Sequence, residues 1–275
     1  MTTTSYGITR WLNGRREDER LAIIDEEPLA IRVQGKPYAV VMRTPGDDTA
    51  HAAGFCLTEG LIDTPEDIVN LAACDGTDSN VVTVTLTPQR QRMIAGHLDR
   101  RGYVSQTSCG LCGKTLIDEI MQALQPVSDA TTVHPTAAER CLRDLHTLQP
   151  LRALSRAAHA AALFDKDLQL LSVAEDVGRH NALDKAVGRL FLDGRLHLAK
   201  AVVMSSRISY ELVQKSVRAR LPVFLALSRP TTLAMNLADR LNVTLAGAMK
   251  PMGLLLYTHA WRLWDDSMSS GTQNQ

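Results

Sequence analysis

The stretch Thr107 to Lys114 reads TSCGLCGK, two thiols two residues apart with a glycine after each. Such a pair can be a redox couple, half of a metal site, or a nucleophile with a helper. A structural zinc site needs four ligands. No second CxxC and no HxxxH pair is present, so only Cys74, Cys141 or a distant histidine could complete one. The zinc deaminase pattern fails as well: no His-x-Glu occurs in the chain, and Ser108 stands where that pattern needs proline. The polar Thr107-Ser108 lead-in fits a thioredoxin-like couple poorly. Two buried loop thiols are the plainest alternative, but they leave Gly110 and Gly113 unexplained, since glycines open the backbone and uncover the sulfurs. The residues point to a nucleophilic or sulfur-carrying thiol, its thiolate favoured by Lys114 and by the helix that follows.

A second group of residues suits anions. AVVMSSRISYE and VFLALSRPTTLA each end an apolar run with hydroxyls and an arginine: Ser205, Ser206 and Arg207 in one, Ser228, Arg229, Thr231 and Thr232 in the other. At the carboxyl end of a parallel strand, hydroxyls, free N–H groups and guanidinium make a phosphate cradle. Ordinary helix N-capping is the competing reading for each loop alone. EDVGRHNALDK (175–185) gathers five formally charged groups around Gly178 and His180. It reads as a helix start with Asn181 as cap, and it can put Arg179 and His180 in the same crevice. AMKPMG (248–253) sets Lys250 and Pro251 between two strands, where a loop can close over a ligand.

These residues need a scaffold. Pro28 to Thr44 reads as a hairpin about Gln34-Gly35-Lys36, followed by a helix capped at Asp47 or Asp48 with Ala50, Ala53, Phe55 and Leu57 inward. Asn80 to Thr87 alternates as a strand, Arg90 to Arg101 suits a surface helix, and KTLIDEIMQAL (114–124) carries an apolar helical stripe. An amphipathic helix runs to Leu148, and Gln149 to Arg156 is the expected boundary between domains 1–150 and 151–275. Beyond it, HAAALFDKDLQLLSVAED reads as a hairpin, and short strands then alternate with helices to LLLYTH. That pattern predicts an α/β fold with a mostly parallel sheet covered on both faces.

Composition narrows the function classes. The 275 residues carry 30 basic and 30 acidic side chains, so general nucleic-acid binding has no electrostatic support. No apolar run approaches the length of a membrane span, and the N-terminus has no signal-peptide pattern; a cytoplasmic protein with reduced thiols is expected.

CGLCG, HAAALF, EDVGRHNALDKAVG, SSRISYELVQKS, SRPTTLAMNLA and AGAMKPMGLLLYTH closely resemble the FdhD family, the formate dehydrogenase accessory proteins. EEPLAIRV and MRTPGDDTAHAAGFCLTEGLI extend the likeness over nearly the whole chain. The resemblance implies a sulfur carrier of sulfurtransferase type, which takes sulfur from a cysteine desulfurase and hands it to the molybdenum bis(molybdopterin guanine dinucleotide) cofactor of formate dehydrogenase. It implies a C-terminal three-layer α/β/α domain of cytidine-deaminase type without zinc, beside a smaller N-terminal α+β domain, and a homodimer. By the same resemblance Cys109 is the persulfide-bearing cysteine and Cys112 its neighbour. Ala248, Met249, Lys250, Pro251, Met252 and Gly253 match the cofactor-binding segment, joined by Ser206, Arg207, Ser228 and Thr231 from the strand ends; GDP-like nucleotides would mimic the bound cofactor. The chain departs from the family pattern at Ser155-Arg156-Ala157-Ala158, where T-G-x-x precedes the histidine, and at Met252-Gly253, which inverts the usual order. A non-catalytic cofactor or guanine-nucleotide chaperone with a structural CxxC is the alternative, and a zinc-stabilised binding module a third.

Overall fold

The computed structural model describes residues 2–73, 80–95, 124–249 and 253–264. The cysteine loop with Cys109 and Cys112, Cys74, nearly all of the helix expected over 114–124, and Lys250, Pro251 and Met252 lie outside them. Among the described residues the strands form three sheets.

The first is a hairpin of β1 (Thr3–Leu12) and β2 (Arg15–Ile24), turned by Asn13 and Gly14 with φ of 51° and 77°. Asn-Gly at positive φ is the tight turn that matches strand twist. The composition of this segment, rich in charge and poor in apolar runs, hides the strands, and the Asn-Gly pair is the signal that reveals them.

The second sheet has the order β4-β3-β6-β5. Strands β3 (Glu27–Val33) and β4 (Lys36–Arg43) form the expected hairpin, with Gln34 and Gly35 at positive φ. β5 (Ile68–Ala73) and β6 (Val81–Leu86) complete it, β6 lying parallel to β3. Period-two alternation puts Leu29, Ile31, Val33, Val82, Val84 and Leu86 on one face, all buried.

That face is covered by helix α1 (Asp48–Thr58), which is buried from Ala50 through Thr58 rather than along one stripe. It is buried all round because it is an inner layer between this sheet and a later helix. The short helix α2 (Pro88–Met93) starts earlier than the expected surface helix, with Thr87 accepting from the Arg90 amide. Arg90 is buried, donating to the carbonyls of Gly60 and Leu61 and to Asp63, so this part of the segment belongs to the interior.

Helices α3 (Pro135–Asp144) and α4 (Pro150–Ser155) lead to the third sheet, ordered β12-β11-β10-β9-β7-β8. β7 (His159–Phe164) and β8 (Leu170–Asp176) are the expected hairpin. β9 (Ala201–Met204), β10 (Val223–Ala226) and β11 (Thr244–Ala248) run parallel, and β12 (Leu254–Thr258) returns antiparallel at the edge. The parallel strands are unbroken apolar runs because both their faces are covered. Helices α5 (Arg179–Leu192), α6 (Tyr210–Arg218) and α7 (Thr232–Arg240) cover one face, and α3 with Leu145 and Leu263 covers the other. The α/β/α layering agrees with the sequence reading. One continuous apolar cluster runs from β3 and β6 through α1, α5, α6 and α7 to the large sheet.

The contact between α1 and α5 is backbone on backbone. A Cβ on Gly54 would lie 1.9 Å from the Asp184 carbonyl oxygen, and one on Gly188 1.8 Å from that of Ala50. Around this crossing sits a buried polar network. Lys185 Nζ reaches Asp176 Oδ2 at 2.7 Å and the Thr44 carbonyl at 2.6 Å; Thr44 N donates to Asp176, and Val177 N to the Thr44 hydroxyl. Lys215 pairs with Asp184 at 2.9 Å and with Glu59 at 3.3 Å, beside Thr58. Arg43 is 1 % exposed and pairs with Asp48 and Glu27. His51 lies in their midst; burial first, then Lys185, Lys215 and Arg43, hold its pKa well below the usual value.

Two outcomes follow from this packing. Gly188→Ala has no space for its methyl except by moving helix backbone, so it should destabilise by at least about 1–3 kcal/mol in chemical denaturation. Gly7→Ala, whose methyl would meet nothing within 4 Å, should change stability little. His51 is neutral when folded but takes a proton in the unfolded chain, so its contribution is complete above about pH 6.5 and is lost as pH falls below that value. Wild type should therefore lose more stability than His51→Gln between about pH 7 and pH 5 in thermal melts.

Candidate functional site

The carboxyl ends of β9, β10 and β11, the start of β7 and the amino ends of α5, α6 and α7 converge on one end of the large sheet. The loops after β9 and β10 are zipped together: Ile208 N donates to the Arg229 carbonyl at 3.3 Å, and Thr231 N to that of Ile208 at 3.0 Å. Ser206 is buried and donates to the Arg207 carbonyl, while the Thr231 hydroxyl accepts from Ala234 N as the cap of α7. Both N-capping and loop closure therefore use hydroxyls that the sequence offered to an anion. The exposed side chains of Arg207 and Arg229 stand at the rim.

Next to them β11 passes close to its neighbours. A Cβ on Gly247 would sit 3.2 Å from the Ser228 carbonyl oxygen and 3.3 Å from the Tyr257 hydroxyl. Ala248 ends the strand, and Met249 N donates to the Gly253 carbonyl at 2.9 Å. Gly253 has φ of 131°, a conformation that glycine adopts without strain. Ser206, Arg207, Ser228, Thr231, Ala248, Met249 and Gly253 thus share one end of the sheet; Lys250, Pro251 and Met252 fall outside the described residues.

EDVGRHNALDK divides between framework and rim. Gly178, not Asn181, is the N-cap of α5. The Asn181 amide turns inward, donating to the Met42 carbonyl at 2.7 Å and to Asp176 Oδ1 at 2.9 Å. Asp176, Asp184 and Lys185 are likewise committed to the buried network. Glu175 accepts from the amides of Leu151 and Arg152, fixing the start of α4. Arg179 and His180 remain for the crevice. His180 Nε2 lies 2.9 Å from Glu211 Oε2 of α6, and this contact holds the Glu211 carboxyl below its usual range. His159 stands nearby, its Nδ1 3.5 Å from the Ser205 hydroxyl; burial first, then Arg179, Arg152 and His180, lower its pKa. Glu211 and Tyr257 are not singled out in the sequence reading, and His159 enters it only as the histidine that follows the departure at 155–158. Their signals were faint: a histidine opening HAAALF and a glutamate in the first turn after SSRIS.

The described residues on either side of 96–123 are anchored at the other end of the sheet. Val127 N donates to the Leu241 carbonyl, and Asn242 Nδ2 to that of Val127, at the carboxyl end of α7. Arg90 and Arg218 meet on Asp63 at the carboxyl end of α6. Of the other cysteines, burial pushes the thiols of Cys56 on α1 and Cys141 on α3 up, away from thiolate. No described helix is long and apolar enough to cross a membrane.

The FdhD/NarQ family model matches residues 24–264. The chain is 42% identical over 255 residues to the sulfur carrier protein FdhD of Streptomyces coelicolor, covering 88% of each chain. It is 39% identical over 271 residues to the protein of that name from Mycolicibacterium paratuberculosis, covering 95% of this chain and 98% of the relative. In fold it is similar to the crystal structure of a candidate formate dehydrogenase accessory protein from Desulfotalea psychrophila, with a TM-score of 0.76 at 22% identity, over 96% of this chain and 100% of the other. With the glycine-flanked cysteine pair, the EDVGRHNALDK corner and the strand-end crevice all inside the matched span, this chain belongs to the FdhD/NarQ family.

Proposed function

We propose that this protein is a sulfur carrier for formate dehydrogenase, taking sulfur from a cysteine desulfurase and delivering it to the molybdenum bis(molybdopterin guanine dinucleotide) cofactor. The reading rests on one observation above others: the near full-length likeness to two relatives named sulfur carrier proteins. Cys109 and Cys112 fit the role, and among the described residues burial disfavours the thiolates of Cys56 and Cys141. The protein works in the cytoplasm as a homodimer in this reading.

The chemistry balances with two thiols. Cys109 thiolate attacks the outer sulfur of a desulfurase persulfide, gains it as Cys109–S–SH and releases the desulfurase thiol. Cys112 then attacks the inner sulfur; a Cys109–Cys112 disulfide forms, the S–S bond to the outer sulfur breaks, and hydrogen sulfide leaves with both protons. The two electrons that reduce the sulfane sulfur come from the pair, which an external dithiol restores. The crevice of Arg207, Arg229 and the 248–253 connection suits the guanine dinucleotide ends of the cofactor, whose phosphates would be met by guanidinium and by Lys250. Positioning does most of that work.

Two measurements test this reading. Given a desulfurase and cysteine, wild type and Cys112→Ala should each gain about 32 Da per sulfur by intact mass, and Cys109→Ala none; loading of the double variant would sink the assignment. GDP should bind, and Lys250→Ala should weaken it roughly tenfold, the worth of one charge-assisted phosphate contact. Calorimetry showing no binding, or no loss in the variant, would refute the site.

A further inference from the structure

We propose that strand β1 is a docking edge for a second copy of this chain, two β1 strands pairing antiparallel about a twofold axis so that two hairpins become one four-stranded sheet. The proposal rests on the sulfur-carrier reading only for its homodimer, and it names the surface that holds that dimer. The hairpin lies almost wholly outside the span that the family model matches, which starts at residue 24.

β1 and β2 form a sheet of their own. A lone two-stranded hairpin is marginal in water, where three or more strands or a packed face are needed for independent stability. β2 leans on α4, whereas β1 pairs with β2 alone, so the outer edge of β1 is a row of N–H and C=O groups without strand partners. Such edges are ordinarily blunted by charge, proline or bulges. β2 is blunted in this way, because RREDERLAII holds six charged residues. β1 is not: TTSYGITRWL has one charge and no proline, and it runs ten residues against β2 without a break in register. The one charge, Arg10, is already held within the hairpin by Glu17 at 2.6 Å and Glu19 at 3.6 Å.

The side chains add to the backbone argument. Directly opposed residues of an antiparallel pair share a face, which puts Tyr6 and Leu21, Thr4 and Ile23, Ile8 and Leu12 together. On that face Tyr6 is 56%, Leu12 48%, Leu21 42% and Ile23 39% exposed. A strand added beside β1 sets its own apolar side chains laterally against this stripe. A second copy fits because β1 meets itself without conflict, its single charge being spent inside its own hairpin. The ends of the hairpin select the direction. Its tip carries Arg15 and Arg16, and Arg15 has no ion pair among the described residues; its base carries Asp25 and Glu26. Parallel pairing would set tip beside tip and arginine beside arginine, whereas the antiparallel twofold turns each basic tip toward the other copy's acidic base.

The test is sedimentation of the full-length protein from about 1 to about 100 µM, with hydrogen exchange and intact-mass loading by a desulfurase and cysteine on the same samples. Wild type should reach twice the chain mass, and the amides of residues 3–12 should lose protection on dilution. Tyr6→Lys/Ile8→Lys places like charges on both copies at the pairing edge and should weaken the dimer at least about tenfold. Leu192→Lys, an exposed leucine on α5, should leave it unchanged. Both arm positions lie outside the two apolar clusters, and the dilution experiment on wild type decides alone should the double variant fail to fold. A wild type that stays monomeric to about 100 µM overturns the proposal. So does a dimer that the double variant leaves intact, or one whose residues 3–12 exchange equally fast at every concentration. Protection of those residues that appears only when the desulfurase is added also overturns it, giving the edge to that partner. The double variant should still load Cys109 with sulfur, whereas failure of the sulfur-carrier reading would abolish loading and leave the dimer in place.

Discussion

The crossing of α1 over α5 is the constraint on which the rest depends. Two glycines, Gly54 and Gly188, let the helices meet backbone to backbone, and a single methyl on either would strike a carbonyl oxygen under 2 Å away. Glycine inside a helix costs about 1 kcal/mol against alanine, and the structure accepts that cost twice. In return the small sheet, α1, α5 and the large sheet stack into one continuous core. Were the helices farther apart, the Lys185–Asp176 and Lys215–Asp184 pairs would lose the contacts from Thr44 and Thr58 that complete them.

Those pairs are not a cheap source of stability. Burying a charge costs several kcal/mol, and a buried pair often does no more than repay it. What it does enforce is register. Thr44 gives its carbonyl to Lys185, its amide to Asp176 and its hydroxyl to Val177, so the end of β4 fits the end of β8 in one arrangement only. Shifting either segment would leave a charge buried without a partner. The network therefore aims the amino end of α5, and with it Arg179 and His180, at the large sheet's open end.

The open end shows how much of a polar loop is framework. Ser206 and Thr231 spend their hydroxyls on the chain, and the zipped pair of loops makes a rigid rim from which Arg207 and Arg229 project. The charged groups left at that rim are mostly guanidinium, with Glu211 as the carboxylate among them, and it is held by His180. A crevice of this composition favours anions overall.

The sequence by itself determined the fold class, the hairpins at 28–44 and 159–176, the parallel strands, and the family, because these are written in local periodicity, turn chemistry and unbroken motif runs. It also marked EDVGRHNALDK as special. Only the tertiary structure decided which of that motif's residues are available. Asn181 has the composition of a cap, yet it faces Met42, far away in the chain, and Arg90 looks like surface but lies buried against Gly60 and Leu61. Charge and polarity are properties of a residue, whereas desolvation and partnership are properties of its surroundings. The same holds for Glu211 and His159, whose spacing from His180 along the chain says nothing of their meeting. They come together because β7 and the two helices start, and β9 ends, at the same edge of one sheet, a long-range fact that no local pattern carries.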